Sequence, residues 1–280
     1  ASFAIFGTVV AGSSIADIQS IKIPYLILGA AFLIVAVIFK MSSIPNKIEH
    51  ITDENNSDAI AHERPSAINY PQLWMGMIAI FVYVGVEVST ASNLPEFMRQ
   101  KLQTPTDHIA PFVSLFWASL MIGRWTSSVG AMNLKGGIKS IMNLLMPYLA
   151  FGVFILVNKI AQHDITPFYV YALVILALIV ANLLSKGKPA RQLLIFSIAG
   201  ITSLLIGILG SGMVSVFAFI SVGLFCSTLW PCIFTLAIAG LGRHTNEGSS
   251  FLIMMIMGGG FVSLLQGYLA NDAYLGIQWS

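Results

Sequence analysis

The sequence predicts an all-α, polytopic membrane helix bundle, and three observations carry that prediction. Hydrophobic residues fill 56% of the 280 positions and charged residues only 9%, against about 25% charged residues in a soluble domain. Mean hydropathy is +0.83. A soluble fold of this length cannot bury so much apolar surface, so lipid must be the solvent for much of it. Third, apolar runs near the roughly 20 residues that span a bilayer recur at 22–40, 71–94, 110–129, 141–158, 167–184, 192–209, 213–240 and 250–270.

Taken in order, residues 1–12 form a partial apolar run with no basic stretch before it, which argues against a signal peptide. The chain does not begin with Met, and Gly276–Ser280 stops where another segment could start, so a fragment at both ends is expected. Run 22–40 leads into residues 41–69, which are polar and charged with two prolines and read as a linker. Run 71–94 is expected to end at Pro95. Runs 110–129, 141–158, 167–184 and 192–209 follow with short connections. Run 213–240 is long enough to tilt or to pass beyond the bilayer, and 250–270 contains Gly258, Gly259 and Gly260 in succession.

Basic residues orient the bundle. With connections alternating sides, Lys40, Lys47, Arg64, Arg124, Lys135, Lys139, Lys186, Lys188, Arg191 and Arg243 fall on one side. Lys22, Arg99, Lys101 and Lys159 fall on the other, ten against four. The positive-inside rule then puts loop 41–69 in the cytoplasm, and one missed helix would scramble the bias.

Several function classes recede. A net charge of +2 without a basic patch gives no support for nucleic-acid binding. The five histidines lie in polar connections, none spaced from another as metal ligands would be, so no metal and no cofactor is expected. Cys226 and Cys232, six residues apart in one run, point about 240° apart around a helix and read as buried free thiols. The chain has no phosphate-cradling glycine loop before a lysine, no G-x-S-x-G elbow and no H-E-x-x-H. Its acids and histidines are scattered over both faces, which disfavours a membrane-embedded transferase.

Of twelve acidic residues, Glu87 alone lies deep in an apolar run, with no Lys or Arg in that run to pair with it. A charge at mid-bilayer costs about 2.5–3.5 kcal/mol on insertion scales. Glu87 therefore faces a polar cavity, or is protonated and bonded to a neighbouring helix. Tyr83 and Thr90 share its helix face, and Ser89, Ser92 and Asn93 extend the polarity. A second face joins Gly223, Ser227, Trp230 and Phe234, beside the kink expected at Pro231. Trp230 there either stacks on the apolar face of a sugar ring or is buried between helices. Gln266 bonds a solute or joins two helices. Pro231 and Gly258–Gly260 are candidate hinges, with close packing the alternative for the glycines. Arg124 snorkels to headgroups or forms a cytoplasmic gate with Arg243 and Glu247.

These words resemble the major facilitator superfamily, in its fucose permease and glucose/galactose transporter branch. The likeness rests on YVGVEVSTASNL (83–94), Gly123–Arg124, LFCSTLWPCIFTLAIAGLGRHTNEGSSFL (224–252) and MGGGFVSLLQGYLAND (257–272). The resemblance implies alternating access by two helical bundles around a midplane site, proton-coupled symport of a monosaccharide such as fucose, glucose or galactose, and a monomer in a bacterial inner membrane. It maps sugar contacts onto Glu87, Asn93 and Trp230, with Tyr83, Ser227 and Gln266 beside them. Residues 1–40 would end the N-terminal bundle (part of helix five, then helix six), 41–69 would link the halves, and 70–280 would supply helices seven to eleven. The first four helices, most of the fifth and the last would then lie outside the chain. Two segments at about 141–184 exceed the family plan and read as an inserted pair. A carrier of another solute, such as an organic anion or a drug, is the alternative.

Overall fold

A backbone in lipid must satisfy its own hydrogen bonds, and each described apolar run folds accordingly as helix. The computed structural model describes residues 18–41, 65–131 and 136–280, and among these there is no strand. Residues 1–12 and most of the linker lie outside the described residues. Ser2–Glu63 and Arg64–Ser280 are separate units. The first contributes α1, Ile18–Met41, with Lys40 in its last turn.

The second unit begins with a 3-10 turn at Ala67–Asn69 and then α2, Pro71–Lys101. α3 (Thr106–Ala131), α4 (Gly136–Ile160), α5 (Tyr171–Ser185) and α6 (Pro189–Leu209) follow. A 3-10 turn at Thr166–Val170 leads into α5. Ahead of it Asp164 accepts from the Thr166 amide at 2.9 Å, and its bonds to Thr166 hold the Asp164 carboxyl below the usual carboxylate range. The last two apolar runs give α7 (Gly212–Cys226) with α8 (Leu229–Ile238), and α9 (Thr245–Met254) with α10 (Gly258–Leu269).

Six helical stretches among the described residues are long and apolar enough to cross a membrane. They divide into inner and outer sets. The most apolar window is 67% buried in Gly212–Ile238 and 56% buried in Pro71–Lys101. It is only 17% buried in Pro189–Leu209 and 22% in both Gly137–Ile160 and Gly242–Leu269. The outer set turns its apolar side chains outward, as lipid requires; Leu194, Ile201, Leu209, Leu264 and Leu265 are all exposed. α2 is central, packing on α7, α8 and α10, while α3 packs on α4 and α7.

Pro95 does not end α2, contrary to the expectation from sequence. It removes one backbone donor, yet the helix runs on to Lys101, 31 residues in all. That is about 46 Å at 1.5 Å per residue, more than the roughly 30 Å of a hydrocarbon core. Packing beyond the proline outweighs the lost bond. Phe97 and Met98 are 3% and 1% exposed, and Phe97 meets Phe219 edge-on at 5.2 Å.

Pro231 has the opposite outcome. Run 213–240 is broken at Ser227–Thr228, between α7 and α8. Pro231 cannot donate to the Ser227 carbonyl, and ladder bonding resumes with the Cys232 amide on Thr228 O at 3.3 Å. The last run is interrupted too, by a 3-10 turn at Met255–Met257 immediately before the three glycines. Gly258 is where α10 presses on α2: a Cβ there would lie 2.1 Å from the carbonyl oxygen of Phe81. At Gly259 it would meet Val88 at 3.0 Å, while Gly260 faces open space.

Candidate functional site

The helical repeat of α2 places Tyr83, Glu87 and Thr90 on one face, and each is 8% exposed. Around Glu87 this face is wrapped by α3 and by the broken α7–α8 pair. Gly123 makes that approach possible. A Cβ on it would sit 1.8 Å from Ser227 Oγ, and one on Gly223 would sit 3.0 Å from the Phe116 carbonyl oxygen. With α3 drawn in this closely, the next residue, Arg124, though exposed, lines the same cavity as Glu87. The Tyr83 hydroxyl and the Cys226 thiol also lie near Glu87. One carboxylate oxygen, Glu87 Oε2, is buried without a hydrogen-bond partner.

A cavity of about 580 Å³ opens on this cluster, lined by Tyr83, Val84, Glu87, Val88 and Arg124. Trp230, Pro231 and Ile256 complete the wall. Small-molecule sites are typically about 300–1,000 Å³ with a few polar groups on apolar walls, and this cavity fits that description. Both helix breaks border it: Trp230 and Pro231 follow the gap between α7 and α8, and Ile256 lies in the turn before α10. The half-buried Trp230 ring is stacked on Phe234, centroids 6.1 Å apart and 24° between planes.

The residues singled out from sequence do not all meet here. Asn93 is six residues past Glu87, about 9 Å along the helix. With Gln266 it lines a separate space of about 60 Å³, together with Thr90 and Gln278. Asn93 Nδ2 donates to Ser89 O at 3.2 Å, and Gln266 Oε1 is buried without a partner. That space has room for only a few waters and is far below the usual size of a solute site. Ser227 is 1% exposed, donates to Leu224 O at 2.6 Å and packs against Gly123. It supports the wall rather than lining it.

The residues grouped as a gate also separate. Arg124 lines the Glu87 cavity. Glu247 instead fastens the start of α9 to the turn before α2, accepting from Ser66 Oγ at 2.9 Å and from the Ala67 amide at 3.2 Å. Arg243 Nε donates to His244 Nε2 at 3.3 Å, and His244 Nδ1 is 3.1 Å from Glu247 Oε2. With Nε2 accepting, Nδ1 carries the proton and donates to Glu247. Sequence reasoning missed that Glu87 and Arg124 share a cavity because it looked for a cation within the same run. Gly123 beside Arg124 was the one sign that a neighbouring helix comes close. Cys226, Ile256 and Gln278 gave no sequence signal of their places.

No family model matches the chain. In sequence it is 29% identical over 259 residues to a glucose/galactose transporter of Brucella abortus, covering 91% of this chain and 48% of that protein. It is 25% identical over 257 residues to a putative glucose/galactose transporter of Helicobacter pylori, covering 92% and 48%. To the L-fucose-proton symporter of Escherichia coli it is 25% identical over 263 residues, covering 91% and 47%. The crystal structure of a major facilitator superfamily transporter, FucP, in the outward conformation matches with a TM-score of 0.58 at 21% identity, covering 93% of this chain and 50% of that one. The chain thus spans about half the length of the curated relatives it matches. These matches bear out the resemblance to the sugar-transporting branch of the superfamily. The chain has the superfamily's fold, is a multi-pass membrane protein, and resembles transporters rather than enzymes.

Proposed function

We propose that this chain supplies part of the C-terminal bundle of a secondary transporter that moves a monosaccharide by alternating access, coupled to a proton. The observation that carries the reading is the Glu87 cavity: a buried carboxylate with an unpartnered oxygen, a phenol and a half-buried indole around about 580 Å³. A sugar needs this combination. Its hydroxyls take hydrogen bonds from carboxylate, phenol and guanidinium, and its apolar ring face packs on an indole. The two interrupted helices at the wall support a moving part, since unwound segments in transporters border the solute site. The wall carries one acid and one base, Glu87 and Arg124, among apolar residues, which suits a polar neutral solute. In the same reading α1 is the last helix of the N-terminal bundle, 41–69 is a cytoplasmic linker, and 141–184 is an added helix pair. The membrane is a bacterial inner membrane.

The test is uptake of labelled glucose, galactose and fucose by cells expressing the full-length carrier. Glu87→Gln is expected to lower uptake about tenfold or more at unchanged membrane level, since a hydrogen bond to a charged group contributes about 1.5–3 kcal/mol. Trp230→Ala is expected to raise the apparent KM about three- to tenfold, with Trp230→Phe between it and the parent. Normal kinetics in Glu87→Gln would remove the assignment. Arg124 on the cavity wall favours one second reading, a carrier of an organic anion. Under it, Arg124→Gln abolishes anion uptake, Glu87→Gln does not, and the three sugars leave transport untouched.

A further inference from the structure

The break between α7 and α8 borders a second, larger space that the sugar reading does not use. It is a cleft of about 640 Å³ on the opposite side of Pro231, between α3, α4, α6 and α8 and the end of α5. Its lining differs from that of the Glu87 cavity. It holds two ammonium groups, Lys139 and Lys186, and no carboxylate. Lys139 Nζ gives one donor to the Gly130 carbonyl at 3.2 Å and keeps two.

Hydrogen-bonding groups in the cleft stand ready but unused. Thr228 is 1% exposed, lines the cleft, and its Oγ1 is buried with no partner. Ser127 Oγ, from α3, is likewise buried and unpartnered. Buried polar atoms in this state are rare in folded proteins, and two of them belong to residues in the wall of this one cleft, just beneath its surface. The carboxamides of Asn143, Asn182 and Gln192 also line it and make no hydrogen bond among the described residues. The cleft therefore offers a formal charge of +2 and donors from several helices. That matches an anion with several acceptor oxygens and a fixed point charge, for which lysine is well suited. The cleft also lies at the end carrying Lys139, Lys186, Lys188 and Arg191, the basic side of the bundle.

We infer that this cleft binds a phosphate group, with Lys139 and Lys186 neutralising it and Thr228, Ser127 and the three carboxamides donating to its oxygens. Phosphate reaches such a place as the headgroup of an anionic phospholipid, because basic pockets between spanning helices on the cytoplasmic side take up such headgroups, or as a free phosphate or phosphate ester. The chemistry is the same and the source is decided by experiment. The site is independent of the sugar cavity, so failure of one reading leaves the other standing.

The test uses the purified full-length protein in neutral detergent, with fluorescent short-chain phosphatidylglycerol as probe and phosphatidylcholine as control. Saturable binding of phosphatidylglycerol, but not phosphatidylcholine, is expected. Lys139→Gln with Lys186→Gln is expected to weaken it about tenfold or more, each lysine near an anionic headgroup being worth about a factor of five. Lys139→Arg with Lys186→Arg should keep most of the affinity. Thr228→Val preserves shape and charge yet should weaken binding several-fold, which a general basic surface would not do. Lys159→Gln, on the opposite membrane side, should change nothing. In a parallel arm, millimolar inorganic phosphate raising the thermal midpoint and displacing the probe identifies a soluble source. Phosphate that does neither, beside tight phosphatidylglycerol binding, identifies the lipid. Equal binding of both lipids, or parent-like binding in the double glutamine variant and in Thr228→Val, overturns the proposal.

Discussion

The inner and outer helices of this bundle solve the membrane problem in different ways. α2 and the α7–α8 pair are mostly buried and use glycine to bring backbones together. α4 and α6 are at least as apolar but face outward; the glycines of α4 do little, and α6 makes its close approach at Gly207, against the Phe219 ring. Where α10, otherwise an outer helix, presses on the inner α2, a Cβ on Gly258 would collide with the Phe81 backbone, whereas one on Gly152 or Gly137 of α4 would meet nothing within 4 Å. The lesson is that apolarity measures contact with lipid or protein alike. Only fit, meaning glycine where backbones touch and hydroxyls where helices bond, marks the interior. Lipid tails are as apolar as leucine, so helix association must come from packing and hydrogen bonds.

That contrast is tested most severely by making one substitution in both regions. Gly258→Ala forces α10 away from α2, with an expected loss of about 3 kcal/mol, since the obstacle is backbone and cannot rotate aside. Gly123→Ala is expected to lose about 1–3 kcal/mol, the Ser227 hydroxyl being the part that must yield. Both would show as a lowered unfolding midpoint by tryptophan fluorescence in detergent. Gly152→Ala should be neutral or gain up to about 1 kcal/mol of helix propensity. Equal effects at Gly258 and Gly152 would erase the distinction between the two regions.

Smaller effects sharpen it. Tyr171 is fully buried, and its hydroxyl meets Ser119 Oγ at 2.8 Å, joining α5 to α3. Tyr171→Phe is expected to destabilise by about 0.6–1.7 kcal/mol, the range of interhelical bonds in membranes. Tyr268 and Tyr274 also share a hydroxyl contact, but on the exposed surface, and Tyr274→Phe should have no measurable effect in the same assay. At the membrane edge, Glu247→Gln weakens the charge-assisted fastening of Ser66 and Ala67 to α9. It should raise proteolytic cleavage next to residue 65 while leaving the bundle's unfolding midpoint nearly unchanged.

Some of the site was legible before any coordinates. Glu87 stood out because an acid in a long apolar run has few explanations, and Tyr83 followed from the helical repeat. Trp230 and Pro231 were marked by residue type. The same logic grouped Asn93, Gln266 and Ser227 with them, and the structure sets those three apart from the Glu87 cavity. A shared helix face fixes direction but not depth, so Asn93 falls about 9 Å further along in the small space with Gln266. Ser227 points at the right neighbour and is consumed by packing.

By itself the sequence determined the helical class and the order of the apolar runs, because a backbone in lipid has no alternative to satisfying its own hydrogen bonds. It also singled out the acid that needs an explanation. Tertiary structure alone decided that Pro95 is absorbed while Pro231 breaks its helix, that Arg124 shares a cavity with Glu87 rather than meeting Glu247, and that two cavities flank one proline. Those outcomes depend on how closely neighbouring helices approach. Approach is set by pairs of residues far apart in the chain, such as Gly123 with Ser227 and Gly258 with Phe81, whose match is invisible along a single strand of letters.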